Sequence, residues 1–240
     1  DAHRALGHYY DRIGESKKRF RVVAVNDLGS LENLAYLLTY DTVYGRAPFP
    51  VQVRPAREGV DNGALVIDGR EVKFFSEKDP ANLPWKNLRI DIVIESTGFF
   101  TEYEKAQAHI TAGALRVIIT APGKGDESLG ATVLMGVNEE RLATCRISSN
   151  ASCTTNAASP VIAILDEAIG IEKAVLSTTH AYTASQSIVD SPSKNGAPSG
   201  VPMRDMREGR AAAMNIVPTS TGAAMAVAQA YESLKGKFDG

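Results

Sequence analysis

The sequence predicts an α/β protein whose first part is a doubly wound parallel sheet, and two observations support this prediction. Short apolar, β-branched runs typical of buried strands occur at residues 20–25, 91–95 and 116–120. Helical periodicity separates them, as at residues 31–38 and 103–112. Strands that alternate with helices favour a parallel sheet with helices on both faces.

The remaining elements follow in chain order. A helix is expected over residues 1–18, and two hairpins over residues 51–75, with turns at Asp61-Asn62-Gly63 and Asp68-Gly69. Further strands are predicted at residues 131–135 and 147–149.

The pattern changes at Cys153. A helix over residues 154–168 is followed by a strand over residues 173–179 and by a long polar loop over residues 191–209. Loops of this length usually carry function or are disordered. We therefore expect one domain over residues 1–152 and a second over residues 153–240.

Composition excludes several classes of protein. The net charge of −2 over 240 residues argues against nucleic-acid binding. Cys145 and Cys153 are too few for a disulfide framework, and their spacing does not suit a metal, so we expect no metal and a reducing, cytoplasmic location. No apolar run approaches the roughly 18 residues that span a bilayer, and the N-terminal residues do not resemble a signal peptide.

Cys153 is the first candidate for catalysis. It lies in the segment Ser149-Asn150-Ala151-Ser152-Cys153-Thr154-Thr155-Asn156, between a predicted strand and the following helix. The free N–H groups at a helix N-terminus favour the thiolate, which is the nucleophilic form. From the local pattern alone, a small buried side chain with capping hydroxyls around it stays open as an alternative.

His180 is the candidate base. It follows the strand predicted over residues 173–179, where side chains commonly face a site at the sheet edge. An imidazole there can lower the thiol pKa and exchange protons with a substrate. A structural role stays open for His180, and a solvated or packed role is expected for His3, His8 and His109 in their predicted helices.

Two groups of hydroxyl residues indicate phosphate binding. One contains Thr183, Ser185 and Gln186, and the other is Thr219-Ser220-Thr221-Gly222 before an alanine-rich helix. A simple helix cap is the alternative for the second group unless Arg207 or Arg210 supplies a positive charge.

Asp27 is the candidate for recognition of a nucleotide. It ends a strand, where a carboxylate binds ribose hydroxyls and repels a 2′-phosphate. No Gly-x-Gly-x-x-Gly motif occurs in the chain, so we expect the glycine loop and the opening strand to lie upstream of Asp1.

Short motifs spread over nearly the whole chain form one ordered set. They are Asn26-Asp27-Leu28, Tyr40-Asp41-Thr42 with Gly45-Arg46, Glu95-Ser96-Thr97-Gly98, Thr120-Ala121-Pro122, Gly136-Val137-Asn138, the segment around Cys153, His180-Ala181-Tyr182-Thr183 and Ser220-Thr221-Gly222-Ala223-Ala224. In this order and spacing they resemble the phosphorylating glyceraldehyde-3-phosphate dehydrogenases, and the Ala-Ser-Cys-Thr-Thr-Asn block is highly specific.

The resemblance implies a Rossmann-like NAD-binding domain followed by part of an α+β catalytic domain. Cys153 would form a thiohemiacetal and then a thioester with glyceraldehyde 3-phosphate, with His180 as base, and inorganic phosphate would release 1,3-bisphosphoglycerate in glycolysis. The backbone N–H of Cys153 would hold the oxyanion.

The resemblance also implies which residues bind each group. Asp27, Thr97, Gly98 and Thr120 match contacts to NAD. Thr183 and Arg207 match contacts to the substrate phosphate, and the attacking phosphate would meet four residues: Ser152, Thr154, Thr221 and Gly222. Leu28 and Pro192 favour NAD over NADP, and the family is typically homotetrameric.

Several departures from the family qualify this expectation. The chain lacks the opening strand and the glycine loop, and it stops before the strand with a substrate-binding arginine and before the C-terminal helix. Ala157 stands where a second cysteine is common, and residues 195–203 are interpreted as an insertion. We therefore expect an internal stretch with both ends missing.

Other functions stay open at this point. An enzyme acting on another phosphorylated aldehyde, such as erythrose 4-phosphate, is the nearest alternative. A non-catalytic truncated fragment is the second, and a Cys-His hydrolase that uses no nicotinamide is the third.

Overall fold

The computed structural model describes residues 20–192 and 206–240. The helix predicted over residues 1–18 and the insertion predicted over residues 195–203 lie outside the described residues. The chain divides into two compact units. Unit 1 comprises Asp1–Val133 and Glu140–Ala151, and unit 2 comprises Leu134–Glu139 and Ser152–Gly240.

The elements of unit 1 follow the predicted alternation closely. Its strands are β1 (Ala24–Asn26), β2 (Tyr40–Asp41), β3 (Gly45–Arg46), β4 (Val51–Arg54), β5 (Ala64–Ile67), β6 (Arg70–Phe75), β7 (Ile92–Glu95), β8 (Arg116–Ile119), β9 (Gly130–Thr132) and β10 (Ile147–Ser149). Its described helices are α1 (Leu31–Thr39), α2 (Trp85–Leu88) and α3 (Tyr103–Thr111), with a 3₁₀ turn at Pro80–Asn82. A second 3₁₀ turn, Glu139–Ala143, begins at the last residue of the unit 2 segment and continues into unit 1.

Unit 1 contains two four-stranded sheets. In the first, the strand order is β1-β6-β5-β4, and β1 is parallel to β6 while the other pairs are antiparallel. The turn between β5 and β6 has positive φ at both Asp68 and Gly69, which is the geometry of the predicted two-residue hairpin. The second sheet, β7-β8-β10-β9, is parallel throughout.

Among the described residues of unit 1, apolar faces of the helices and strands build three cores. In the first, α1 packs through Leu31, Ala35 and Leu38 against β5 and β6. In the second, Tyr103 and Ala106 of α3 pack against β8 and β10. The third joins Trp85 of α2 to Val93 of β7. Burial of such side chains contributes about 25 cal/mol per Å² of apolar surface.

Among the described residues of unit 2, the apolar core lies around two helices, and residues 206–208 are also helical. Helix α4 is Cys153–Ile169 and helix α5 is Ala223–Ala230, with a 3₁₀ turn at Glu232–Leu234. Ala224, Val227 and Ala228 of α5 form a core with Leu234 and with α4. The two short strands of this unit, β11 (Ala174–Val175) and β12 (Phe238–Asp239), are parallel.

Most predicted elements are confirmed, and three strands differ in length from the prediction. The strand expected over residues 20–25 is Ala24–Asn26, because β6 pairs with it over only these three residues. The strand expected over residues 173–179 is only Ala174–Val175, because its one partner among the described residues is the two-residue strand β12. His180 therefore follows irregular chain rather than a strand end. The strand expected over residues 131–135 is Gly130–Thr132, because β10 pairs with it over only three residues.

The α/β fold class is confirmed, with parallel strands alternating with helices in unit 1. Among the described residues, no helix combines the length and the apolar character needed to cross a membrane.

Candidate active site

Helix α4 begins at Cys153 because Ser152 caps it. The Ser152 hydroxyl accepts a hydrogen bond from the backbone N–H of Thr155 at 3.1 Å, and its side chain also contacts the Thr155 hydroxyl at 2.7 Å. Cys153 thus occupies the first helical position, where N–H groups lack partners within the helix. The positive end of the helix dipole lies next to its sulfur.

The residue before the cap has an unusual backbone. Ala151 has φ of 54°, in the left-handed region that costs a residue with a Cβ about 1–2 kcal/mol. The buried Ser149 hydroxyl accepts from the Ala151 N–H at 3.0 Å and from the Gly123 N–H at 2.8 Å, and donates to the Ala121 carbonyl at 2.7 Å. These bonds stabilise the turn that leaves β10.

His180 lies against Cys153. Its Nε2 is 3.1 Å from the Cys153 Sγ, and its Nδ1–H donates to the carbonyl of Ala181 at 2.7 Å. The carbonyl is only an acceptor, so Nδ1 carries a proton and Nε2 faces the sulfur. Both side chains are exposed, so a reactant reaches this pair from solvent.

The pair favours a thiolate beside an imidazolium. Partial burial opposes ionisation of Cys153, but hydrogen bonds from His180 and from the Thr154 N–H, together with the charge of His180, lower the pKa of the thiol overall. The Ala181 carbonyl, followed by Cys153, raises the pKa of His180. The two shifts run toward each other, which favours transfer of a proton between the two groups.

Cys145 provides an internal contrast. It is partly buried, and burial raises the pKa of its thiol despite the nearby Arg116 and Arg141. A protonated thiol is a poor nucleophile, so the two cysteines differ in reactivity for a physical reason.

The predicted phosphate-binding residues lie in unit 2, as do Cys153 and His180. Thr183 hydrogen-bonds to the Ser185 hydroxyl at 3.0 Å. The Thr221 hydroxyl accepts from the Ala223 N–H at 3.1 Å, and Gly222 caps α5. These hydrogen bonds belong to their own loops, so their roles toward phosphate stay predictions.

Arg210, one of the two candidate arginines, has a carboxylate partner. Arg210 forms an ion pair with Asp190 at 2.6 Å, and Asp190 also accepts from the Ala211 N–H. This carboxylate neutralises much of the charge that Arg210 was expected to offer to a phosphate. Arg207 stays the residue that the resemblance assigns to the substrate phosphate.

The predicted cofactor residues of unit 1 lie just beyond strand ends. Asp27 follows β1 and accepts from the Gly29 N–H at 2.7 Å. Thr97 and Gly98 follow β7, and Thr120 follows β8. Both threonines hydrogen-bond to Glu95, Thr97 to its side chain and Thr120 to its backbone carbonyl, so the structure brings these two predicted contacts together.

Three buried residues have roles that the sequence analysis did not assign. Glu95, His109 and Trp85 form a hydrogen-bonded chain beneath Thr97. Glu95 belongs to a motif already noted, and His109 was expected to be solvated or packed, but nothing in the sequence spacing predicts that they meet.

Comparison with known proteins assigns both parts of the chain. Residues 5–103 match the family model described as "Glyceraldehyde 3-phosphate dehydrogenase, NAD binding domain". Residues 152–240 match the model described as "Glyceraldehyde 3-phosphate dehydrogenase, C-terminal domain".

Curated relatives agree with the family models. The glyceraldehyde-3-phosphate dehydrogenase of Clostridium pasteurianum is 46% identical over 220 residues, which cover 91% of this chain and 60% of the relative. The Streptomyces coelicolor enzyme is 44% identical over 97% of this chain and 64% of the relative. A chloroplastic enzyme from Zea mays is 45% identical over 91% of this chain and 50% of the relative.

The chain thus spans about 60% of the length of the first of these relatives. The two family models and the relatives point to the same family. The capped helix that begins at Cys153, the predicted nucleophile, agrees with that assignment. The chain belongs to the glyceraldehyde-3-phosphate dehydrogenase family.

Proposed function

We propose that the chain is part of a phosphorylating glyceraldehyde-3-phosphate dehydrogenase and carries the catalytic pair of that enzyme. The supporting observation is the 3.1 Å contact between Cys153 Sγ and His180 Nε2 at the N-terminus of α4. The family match supplies the reaction class.

In the first step, the Cys153 thiolate attacks the aldehyde carbon of glyceraldehyde 3-phosphate. A carbon–sulfur bond forms, and the electron pair of the carbonyl π bond moves to the oxygen. The Cys153 N–H, at the first position of the helix, donates to this oxyanion, and the His180 imidazolium gives it a proton to form the thiohemiacetal.

In the second step, His180 takes back the hydroxyl proton while the hydride leaves and a thioester remains on Cys153. NAD, when bound, would supply the acceptor for that hydride. An oxygen of inorganic phosphate then attacks the thioester carbon, and the Cys153 thiolate departs to release 1,3-bisphosphoglycerate.

We propose residues 1–152 as the NAD-binding domain, with residues 153–240 as part of the catalytic domain. Asp27 fits a ribose diol because its exposed carboxylate follows a strand end and lies beside a backbone N–H. A Cβ at Gly29 would lie 3.1 Å from an Asp27 oxygen, so glycine keeps that carboxylate accessible. Thr97, Gly98 and Thr120 offer hydroxyl and backbone groups of the kind that a dinucleotide uses.

The phosphate groups have separate proposed partners. Thr183 and Arg207 bind the phosphate of the substrate. The attacking phosphate binds at the start of α4, through Ser152 and Thr154, and at the start of α5, through Thr221 and Gly222. Helix N-termini suit phosphate because their N–H groups lack intrahelical partners.

The biological setting is proposed from the family. The parent enzyme acts in glycolysis in the cytoplasm as a homotetramer, although one relative is named as chloroplastic. An enzyme for erythrose 4-phosphate is the second candidate, and His180-Ala181-Tyr182-Thr183 favours glyceraldehyde 3-phosphate over it.

Phosphate-dependent reduction of NAD tests the proposal. The protein is mixed with glyceraldehyde 3-phosphate and NAD, with or without inorganic phosphate, and the absorbance of NADH is followed. Formation of NADH that requires phosphate supports the proposal. Absence of NADH from a protein that folds and retains a reactive Cys153 would instead indicate a non-catalytic fragment.

A further inference from the structure

A hydrogen-bonded chain of three buried side chains runs beneath the loop that follows β7. Trp85 Nε1–H donates to His109 Nδ1 at 3.1 Å, and His109 Nε2 is 2.9 Å from Glu95 Oε2. Glu95 and His109 are each 4% exposed and Trp85 is 5% exposed. Exposed fractions this low are typical of core residues, although Glu95 carries a carboxylate, which is rarely buried without a partner.

The tryptophan fixes the proton of the histidine. An indole N–H can only donate, so Nδ1 of His109 must accept and therefore carries no proton. The proton of the neutral imidazole is then on Nε2, which donates it to Glu95. Protonation of both ring nitrogens would require the Trp85 hydrogen bond to break.

Glu95 consequently has to accept hydrogen bonds on both oxygens. Oε2 accepts from His109, while Oε1 accepts from the Thr97 backbone N–H at 2.7 Å and from the Thr97 hydroxyl. Burial opposes ionisation, but the donors His109 and Thr97 together lower the pKa of this carboxyl overall. An ionised carboxylate provides acceptors on both sides, which a neutral amide does not.

The carboxylate determines the conformation of the loop above it. The Thr97 hydroxyl donates to Glu95 and accepts from the Phe99 N–H at 3.1 Å, and Gly98 between them has φ of 79°. The Glu95 carbonyl accepts from the Thr120 N–H at 3.0 Å and from its hydroxyl at 3.3 Å. One residue therefore holds both threonines that are proposed to contact NAD.

We propose that Glu95 is a positioning residue for the cofactor: its charge and orientation, fixed by His109 and Trp85, hold Thr97 and Gly98 in the conformation that receives NAD. This inference rests on the proposed function for the cofactor itself. The hydrogen bonds between Glu95 and Thr97 are observed and do not depend on that proposed function.

Glu95→Gln tests the requirement for two acceptors. In one orientation, the amide oxygen of the glutamine faces His109, and its NH₂ group then meets the Thr97 N–H. In the other orientation, the oxygen faces Thr97, and the NH₂ group then meets the His109 Nε2–H. Either orientation opposes two donors and displaces the side chain that holds Thr97. Glu102→Gln is the matched control, because Glu102 belongs to the same unit and its half-exposed carboxylate pairs only with Lys105 among the side-chain contacts described.

Two readouts separate positioning from general stability. Amide hydrogen exchange, measured by NMR, should accelerate at Thr97 and Phe99 by about tenfold in Glu95→Gln, the equivalent of one lost hydrogen bond. Exchange at the buried Val117 in β8 should not change. The dissociation constant for NAD should rise by about tenfold, with no change for Glu102→Gln.

A second substitution tests the role of the tryptophan. Trp85→Phe removes the indole N–H, so His109 Nδ1 is free to carry the ring proton. His109 Nε2 can then accept from the glutamine NH₂ group of Glu95→Gln, while the glutamine oxygen accepts from Thr97. Glu95→Gln should therefore accelerate exchange at Thr97 strongly when Trp85 is present and little in the Trp85→Phe background. A purely steric role would give equal effects in both backgrounds and would overturn the inference.

Four further outcomes decide between the alternatives. Unchanged exchange at Thr97 in Glu95→Gln, or equal acceleration at Val117, overturns the positioning role. Faster amide exchange at Thr97 and Phe99 together with an unchanged affinity for NAD overturns the proposed link between Glu95 and cofactor binding. If the wild-type protein binds no NAD, the proposed function fails instead, and the exchange data still decide whether Glu95 holds Thr97.

Discussion

His180 and His109 are each hydrogen-bonded through both ring nitrogens, but their partners differ in polarity. His180 faces a carbonyl oxygen on one side and a sulfur on the other. His109 receives an N–H from Trp85 on one side and gives its own proton to Glu95 on the other. The first set favours the imidazolium, whereas in the second one ring nitrogen accepts from an indole N–H and the other faces a carboxylate.

Their surroundings reinforce the difference. His180 is exposed and can exchange protons with solvent or a reactant, whereas His109 is enclosed by Trp85, Glu95 and the nearby Phe100 ring. The comparison teaches that partners and exposure, rather than residue type, separate a proton carrier from a fixed hydrogen-bond donor. The predictions below test the two halves of that comparison.

The largest effect is expected at the nucleophile. Cys153→Ser should lower phosphate-dependent NADH formation by at least about 10³-fold, because a serine hydroxyl is not ionised near neutral pH. The measurement is the initial rate of NADH formation with saturating substrates. Turnover at the wild-type rate would exclude Cys153 as the nucleophile.

A smaller loss is expected at the base. His180→Asn should lower kcat by about 10²- to 10⁴-fold, because the amide neither exchanges the proton nor stabilises the thiolate. The KM for NAD should change little, since His180 is not among the residues proposed to bind NAD, which are Asp27, Thr97, Gly98 and Thr120. A rise in that KM with unchanged kcat would contradict the proposed role.

Stability should show the opposite ranking of the two histidines. His109→Ala should lower the free energy of unfolding by about 3 kcal/mol, because it leaves one oxygen of the buried Glu95 carboxylate and the buried Trp85 indole N–H without a partner. His180→Ala should change that free energy by less than about 0.5 kcal/mol, as is usual for exposed positions. Urea denaturation measures the free energy of unfolding of both variants. Equal losses in the two variants would contradict the proposed difference between a structural His109 and an exposed His180.

The smallest effect is expected at the other cysteine. Cys145→Ser should leave the rate of alkylation by iodoacetamide near neutral pH almost unchanged, because the raised pKa of Cys145 keeps it protonated there. Peptide mass spectrometry assigns the modified residue. Modification of Cys145 ahead of Cys153 would show that the assigned order of thiol pKa values is wrong.

The sequence predicted most of what depends on local pattern. The hairpin turn at Asp68-Gly69 and the helix that starts beside Ser152 follow from residue preferences over a few positions, and both are confirmed. The proximity of His180 to Cys153 was expected, but the predicted strand before His180 was wrong because strand length depends on its partner β12.

The buried chain could not be predicted in the same way. Trp85 and His109 are 24 residues apart, and His109 and Glu95 are 14 apart, and each pair meets only through packing of helices against β7. Helical periodicity placed His109 on α3 but could not specify its hydrogen-bond partners. The left-handed backbone of Ala151 has no sequence signal either, since alanine rarely adopts it.

The most direct test of the account is a titration of the Cys153 thiolate by its ultraviolet absorbance. Below its pKa the thiol is protonated, so a lowered pKa makes the absorbance appear at lower pH. We predict a step with a midpoint below about 8.5 that Cys153→Ser removes and His180→Asn moves to higher pH. A midpoint at or above about 8.5, or one that His180→Asn leaves unchanged, would contradict the assignment of this pair.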